Sequence, residues 1–184
     1  IVIGGPGVSS WPEAAIGKFD TIFIGEAEHT WPQFLRDWEE GNPRPEYRQV
    51  QRPDINDSPA PRWQSVKNMM DDYAAGAVQT TRGCPFDCEF CDVIYLFGRQ
   101  PRHKAVETVM AEIKDLHDRG MRAVFFCDDN FIGRPSYAKE LLRELAKLNN
   151  SFERPMRFLT QLTINLATDP ELMELMADAN FDEV

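Results

Sequence analysis

Three cysteines fall within eight residues, as Cys84-x3-Cys88-x2-Cys91 in the segment Thr80-Thr81-Arg82-Gly83-Cys84-Pro85-Phe86-Asp87-Cys88-Glu89-Phe90-Cys91. Thiolates this close on one loop can wrap a compact polynuclear centre, and soft sulfur selects iron–sulfur clusters, zinc or Cu(I). Tetrahedral zinc normally takes a fourth protein ligand, usually from a second close pair. No such pair accompanies the loop, because His29, His103 and His117 lie in other segments. A four-iron cluster held by only three cysteines keeps one iron open, and an open position is what catalysis at a metal requires. The ferredoxin run has different spacing and one more cysteine. A structural zinc knuckle or a redox thiol cluster is the competing reading of the same residues. The fourth cysteine, Cys127, sits in an apolar run and reads as a small buried core thiol, with a fourth-ligand role as the alternative.

The elements around the loop read as alternating strand and helix. Residues 77–81 form a strand that runs directly into the cysteines. Val106, Val109, Met110, Ile113 and Leu116 make one helical stripe that ends at Gly120. Residues 123–127 form a buried strand, followed by Asp128-Asp129-Asn130 at its end. Leu141, Leu142, Leu145 and Leu148 make the next stripe, 158–163 the next strand, and Asp169 caps a helix with Pro170 in its first position. Such repeats build a parallel barrel or open sheet, with its chemistry at the C-terminal strand ends. The 77–184 region supplies about three units, against the eight of a full barrel.

Residues 1–41 show the same rhythm on their own. Strands are expected at 1–3 and 20–24. One helix is expected to start near Ser10, Pro12 and Glu13, and another carries Trp31, Phe34, Leu35 and Trp38 up to Gly41. Gly5-x-Gly7-x-x-Ser10 is a weak likeness to a dinucleotide fingerprint that lacks the third glycine. Residues 42–76 then carry five of the 13 prolines and read as a proline-rich linker or extended crossing segment. The expected organisation is therefore 1–41, a 42–76 linker, and 77–184. Both ends look cut, so the sequence reads as a fragment holding the tail of one domain and the start of another.

Composition narrows the function. A net charge of −10, with six acids and no Lys or Arg in 168–184, disfavours nucleic acid as a partner. No apolar run approaches the roughly 20 residues of a membrane helix. Four cysteines in 184 residues are too few for a disulfide scaffold and suit a reducing cytoplasm.

Taken with its surroundings, Cys84-x3-Cys88-x2-Cys91 after a first strand, with Phe90 before the last cysteine, resembles the radical S-adenosylmethionine (SAM) superfamily. The resemblance extends over essentially the whole chain. It implies that Cys84, Cys88 and Cys91 hold a [4Fe-4S] cluster whose fourth iron is chelated by SAM. It further implies that an electron from the reduced cluster cleaves SAM to methionine and a 5′-deoxyadenosyl radical. Arg82-Gly83, the run from Gly98 to Lys104, Phe125 to Phe131, and Phe158 to Ala167 resemble the branch that carries a cobalamin-binding domain. Family members often bind the SAM amino group through Gly-Gly-Glu at the second strand end. Here Asp128-Asp129-Asn130 takes that place, so Phe90, Asp128, Asp129, Asn130 and Gln161 are the expected SAM contacts. Strand-end turn residues are the plainer reading of the two aspartates.

Residues 1–41 resemble the C-terminal part of a Rossmann-like cobalamin-binding domain, which makes Gly4, Gly5, Gly25 and Glu26 the expected cobalamin contacts. Glu26 and Glu28 also read as first-turn helix charges. Arg99, Arg102 and Lys104 read either as a solvated face or as a seat for an anionic group. The fold expected for 77–184 is the N-terminal part of a radical SAM (β/α) partial barrel. The resemblance to enzymes of the hopanoid C-2 methylase kind implies transfer of a methyl group from cobalt to an unactivated carbon. A small-molecule or lipid-like substrate and a flavodoxin- or ferredoxin-type electron donor would be the partners. A radical SAM rearrangement or ring formation without net methylation is the alternative, and a non-catalytic iron–sulfur carrier or sensor is an alternative of another class.

Overall fold

The computed structural model describes residues 1–184. A first parallel sheet runs in the order β1 (Val2–Ile3), β2 (Thr21–Ile24), β3 (Glu46–Arg48). Helix α1 (Pro6–Ser10) follows β1, and α2 (Thr30–Glu39) follows β2. All four residues of β2 are buried, as the apolar run Ile22-Phe23-Ile24 predicts for a central strand covered on both faces, and the Thr21 hydroxyl donates to the Arg44 carbonyl. Ile22 and Ile24 pack with Val8 and Ala15 on one side. On the other side Phe23 stacks on Tyr47 at 5.4 Å and meets the edge of Phe34.

Two expectations for this region change. The first helix begins at Pro6, in the favoured N1 position, and Pro12–Ala14 forms a separate 3₁₀ turn. The third strand lies inside the segment expected to be linker. Only Tyr47 of Glu46-Tyr47-Arg48 is buried, so this edge strand carries no apolar alternation to announce it.

The second sheet is wholly parallel, in the order β4 (Gly76–Val78), β7 (Ala123–Phe126), β8 (Arg157–Thr160), β9 (Phe181–Glu183). Between β4 and β7, an antiparallel ribbon of β5 (Thr81–Arg82) and β6 (Arg102–His103) brackets the short helix α3 (Val93–Leu96). Helices α4 (Val106–Asp118), α5 (Pro135–Asn150) and α6 (Pro170–Asp178) supply the crossovers. Val78, Val124, Phe126 and Phe158 form the main core with Ile113, Leu116, Leu141, Leu142 and Leu145 from the helices. Each such side chain contributes about 1.5–3 kcal/mol by leaving water. Asp169 caps α6 as its sequence predicts, its Oδ1 accepting from Leu172 N at 3.1 Å.

The opposite face of this sheet is open. Ala77, Phe125 and Leu159 are in register across β4, β7 and β8, and none of the three is buried. Strand parity places Cys127 on this face too, because it alternates with buried Phe126. Cys127 is accordingly exposed, which corrects the expectation of a core thiol.

The segment between β3 and β4 is fastened at Ile55 and Asn56. Ile55 is fully buried. The Asn56 amide donates to the His103 carbonyl at 3.1 Å and accepts from Ala105 N at 2.7 Å, fixing the approach to α4. No helix is long and apolar enough to cross a membrane.

Candidate active site and the interface that frames it

The cysteine loop springs from the β5–β6 ribbon, where Arg82 pairs with Arg102. Gly83 has φ +99°, and a Cβ there would stand 2.9 Å from the Gly98 carbonyl oxygen. Only glycine allows that approach, which lets Cys84 N donate to the same oxygen at 3.1 Å. Cys91 N then donates to Cys88 O at 3.0 Å, closing a tight turn between the last two thiols. Across the loop, Arg99 donates to Asp87 at 2.9 Å and to the Pro85 carbonyl. All four cysteines are free thiols, with Cys84 and Cys91 half-buried and Cys88 exposed. No three His, Cys, Asp or Glu side chains converge tightly enough to hold a single metal ion. Phe90 is 91% exposed, an aromatic face presented beside the thiols.

Each residue of Asp128-Asp129-Asn130 is used differently. The Asp128 carboxylate accepts from Thr80 N at 2.6 Å, from Thr81 N at 2.9 Å, and from the Thr80 hydroxyl. Burial pushes its pKa up to about 6, against the pull of those donors. Asp128 is therefore a tie between the ends of β7 and β4, its oxygens already accepting from three donors. Asp129 is half-buried and accepts from Gly83 N at 2.7 Å. Burial raises its carboxyl too, opposed by the Gly83 hydrogen bond and the charges of Arg82 and Arg102.

Asn130 is buried, and its amide nitrogen reaches both Cys84 Sγ at 3.8 Å and Thr163 Oγ1 at 3.3 Å. Its Oδ1 has no partner. A buried acceptor without a donor costs about 1–3 kcal/mol, and a ligand donor would relieve that cost. Gln161 is exposed at the end of β8, and its carbonyl accepts from Phe131 N.

At the C-terminal edge of the first sheet, a cavity of about 290 Å³ is lined by Ser9, Gly25, Gln49, Arg52 and Tyr95, among others. A smaller one of about 70 Å³ is lined by Gly5, Ser9, Gly25, Leu96 and Phe97. Both lie between the first sheet and the chain that follows the cysteines. Gly25, at φ +87°, donates its N–H to Ser9 Oγ, and a Cβ there would collide with the Gln49 side chain. Gly5 and Gly25 thus occupy cavity walls, whereas Gly4 packs against Phe23.

Glu26 does something else. Its side chain is 1% exposed and accepts from both guanidinium arms of Arg102, at 2.9 and 2.8 Å, and from Arg82. Gln49 donates to it as well, at 3.2 Å. With its oxygens taken by four donors, Glu26 ties the first sheet to the β5–β6 ribbon and is not among the side chains lining the two cavities. Arg82 also reaches Glu28 at 2.6 Å, and Ser58 donates to the same carboxylate. Burial alone would raise the Glu28 carboxyl, but Arg82 outweighs it and holds it below the usual range. The cations proposed for an anionic seat are likewise engaged: Arg102 by Glu26, Lys104 by buried Glu112 at 2.6 Å, and Arg99 by Asp87.

Residues 78–184, beginning in β4 and including the cysteine loop, match the Radical SAM superfamily. The chain belongs to this superfamily. It is 39% identical, over all of its length, to an uncharacterized methyltransferase of Synechocystis sp., covering 34% of that protein. It is 33% identical, over 98% of its length, to the hopanoid C-2 methylase of Rhodopseudomonas palustris, covering 35% of that protein. This radical SAM chain therefore spans about a third of the curated relatives it matches.

Among solved structures, it superposes on the cobalamin-dependent radical SAM enzyme OxsB, with aqua-cobalamin and SAM bound, at TM-score 0.77 and 15% identity. That match covers 97% of this chain and 29% of OxsB. It superposes on the radical SAM methyltransferase TsrM of Kitasatospora setae at TM-score 0.74 and 18% identity, covering 98% of this chain and 40% of TsrM. At such identities the likeness is one of fold, and it includes the first sheet as well as the radical SAM region.

Thr80, Thr81 and Thr163 are partners of Asp128 and Asn130 that their own sequence does not announce. Their hydroxyls and amides matter only because β4, β7 and β8 end side by side. The signal that could have pointed to Thr80 is its place near the C-terminal end of an expected strand.

Proposed function

We propose that the chain is the cofactor-holding part of a cobalamin-dependent radical SAM methyltransferase. The observation that carries this reading is one of position. The three-thiol loop follows the β5–β6 ribbon, with the strand ends that carry buried Asn130 and exposed Gln161 on one side and the glycine-walled cavities of the first sheet on the other. The chain just after the cysteines, at Tyr95, Leu96 and Phe97, itself walls those cavities, so a ligand seated there would touch chain close in sequence to the loop.

The residues present fit the implied groups. Cys84, Cys88 and Cys91 would hold a [4Fe-4S] cluster, their free thiols being the soft donors it requires. Asn130, with its orphaned Oδ1, would accept from the ammonium of SAM, while Asp129 adds negative charge nearby. Phe90 and Gln161 would complete the SAM seat from the loop and from β8. Gly5, Gly25 and Ser9 would let a bulky cofactor approach backbone at the first sheet, as expected for cobalamin. When bound, the cluster and SAM supply a radical for hydrogen abstraction, and cobalamin supplies the methyl carrier. The chain's own work is to orient these groups and keep water from them.

The substrate class is a small or lipid-like molecule with an unactivated carbon. A flavodoxin- or ferredoxin-type protein in a reducing cytoplasm would deliver the electron. The test is anaerobic turnover of the full-length protein with SAM labelled in its methyl group. Label should appear in the cobalamin fraction and then in product, together with 5′-deoxyadenosine. Formation of 5′-deoxyadenosine with no label in cobalamin would instead assign a radical SAM reaction without methylation.

A further inference from the structure

We propose that Glu26, gripped by Arg82 and Arg102, is a positioning residue that fixes the distance and orientation between the cysteine loop and the cavity of the first sheet. Both ends of this contact are one or two residues from a site. Glu26 follows Gly25, which walls both cavities, and Arg82 stands two residues before Cys84. The contact spans 56 residues of sequence to Arg82 and 76 to Arg102, joining the first sheet directly to the β5–β6 ribbon from which the cysteine loop springs.

All three ion pairs between the first sheet unit and the second meet here, as Arg82–Glu26, Arg82–Glu28 and Arg102–Glu26. Two guanidinium groups face two carboxylates, so the buried knot is electrically balanced. Arg102 grips Glu26 with both arms, a fork geometry that fixes angle as well as distance. The same arms reach the carbonyls of Pro53 and Phe97, on the incoming strap and beside the cysteine loop. Arg82 is held from its other side by Gln79 and lies over the Phe97 ring. Every terminal nitrogen of both arginines is engaged within this knot.

Stability alone does not account for this arrangement. A buried ion pair recovers in attraction little more than its desolvation cost, and apolar replacements often match it. What such a pair does supply is geometry, since misregistered partners leave charges buried and unpaired. In the proposed function, geometry is the scarce quantity, because two cofactors held by different sheets must act on one substrate. The inference rests on that reading for its purpose, but the clasp itself can be tested without any cofactor.

The experiment uses the full-length protein and the variants Glu26→Gln and Arg102→Lys, the second keeping charge while removing the fork. In the cofactor-free protein, amide hydrogen exchange is followed in segments 49–57 and 83–92. Release of the clasp should speed exchange in both segments by about tenfold or more, with the α4–α6 core unchanged. In reconstituted protein, dipolar EPR measures the distance distribution between the reduced cluster and cob(II)alamin. The variants should retain iron and cobalamin but show a broadened distribution, and more 5′-deoxyadenosine per methyl transferred.

Unchanged exchange in both variants overturns the proposal, as does a sharp, native distance distribution. Loss of cobalamin with native exchange also overturns it, by making Glu26 a ligand contact. If wild-type protein binds no cobalamin, the proposed function fails, and the exchange arm still decides whether the clasp exists.

Discussion

Asn130 lays its side-chain amide against the sulfur of Cys84 at 3.8 Å, joining the end of β7 to the first thiol of the loop. The same amide touches Thr163, so one side chain links two strand ends to the prospective cluster. An N–H directed at a ligating sulfur stabilises the more reduced, more negative cluster. Asn130→Ala should therefore lower the cluster's reduction potential, read by EPR-monitored titration. It should also weaken SAM binding by about tenfold, the worth of one charge-assisted hydrogen bond. A variant with native potential and native SAM affinity would remove Asn130 from the site.

Asp128 gives stability a defined pH dependence. Its folded pKa of about 6 lies above the ordinary 3.8, so the folded state holds its proton more tightly than the unfolded one. Stability from this group is fully present below about pH 4 and declines as pH rises through about 6, by up to ~3 kcal/mol. Asp128→Asn should flatten that decline in urea titrations between pH 4 and 6.5. Asp128→Ala should be worse at every pH, by about 2–4 kcal/mol, because the Thr80 and Thr81 amides lose their acceptor.

The Gly83 approach to Gly98 is a requirement on backbone, not on side-chain chemistry. Gly83→Ala places a methyl group 2.9 Å from the Gly98 carbonyl oxygen, in a conformation that costs about 1–3 kcal/mol for a non-glycine residue. The loop must open, and iron incorporation on reconstitution should fall by more than half. Gly7→Ala, where a Cβ meets nothing within 4 Å, should retain full iron. Equal iron content in the two variants would show that the loop tolerates repositioning.

Cys127 lies on the open sheet face, outside the loop whose three thiols are the proposed cluster ligands. Cys127→Ser should leave iron content and the cluster's response to SAM unchanged. Loss of either in the serine variant would give Cys127 a ligand role.

Much of this architecture is legible in the sequence because it rests on local signals. The apolar stripes of α4 and α5, the cap at Asp169 and the Ile22-Phe23-Ile24 run of β2 each carry their own period or terminus. The cysteine loop is legible for the same reason, its three donors being adjacent. What escapes is set by contacts between distant residues. Asp128 and Asp129 are equivalent as a sequence pair, and only the neighbouring end of β4 turns one into a buried tie. Glu26 reads as a cofactor contact or a helix charge until Arg102, 76 residues away, is seen to close on it. Edge strand β3 hides among prolines because a single buried tyrosine is all it needs.

The most direct measurement is the EPR spectrum of the reduced, anaerobically reconstituted full-length protein before and after addition of SAM, with Cys88→Ala prepared in parallel. The account predicts a [4Fe-4S] signal that shifts with SAM, 5′-deoxyadenosine after turnover, and neither in the alanine variant. A cluster signal indifferent to SAM with no 5′-deoxyadenosine, or a cluster that survives loss of Cys88, would contradict it.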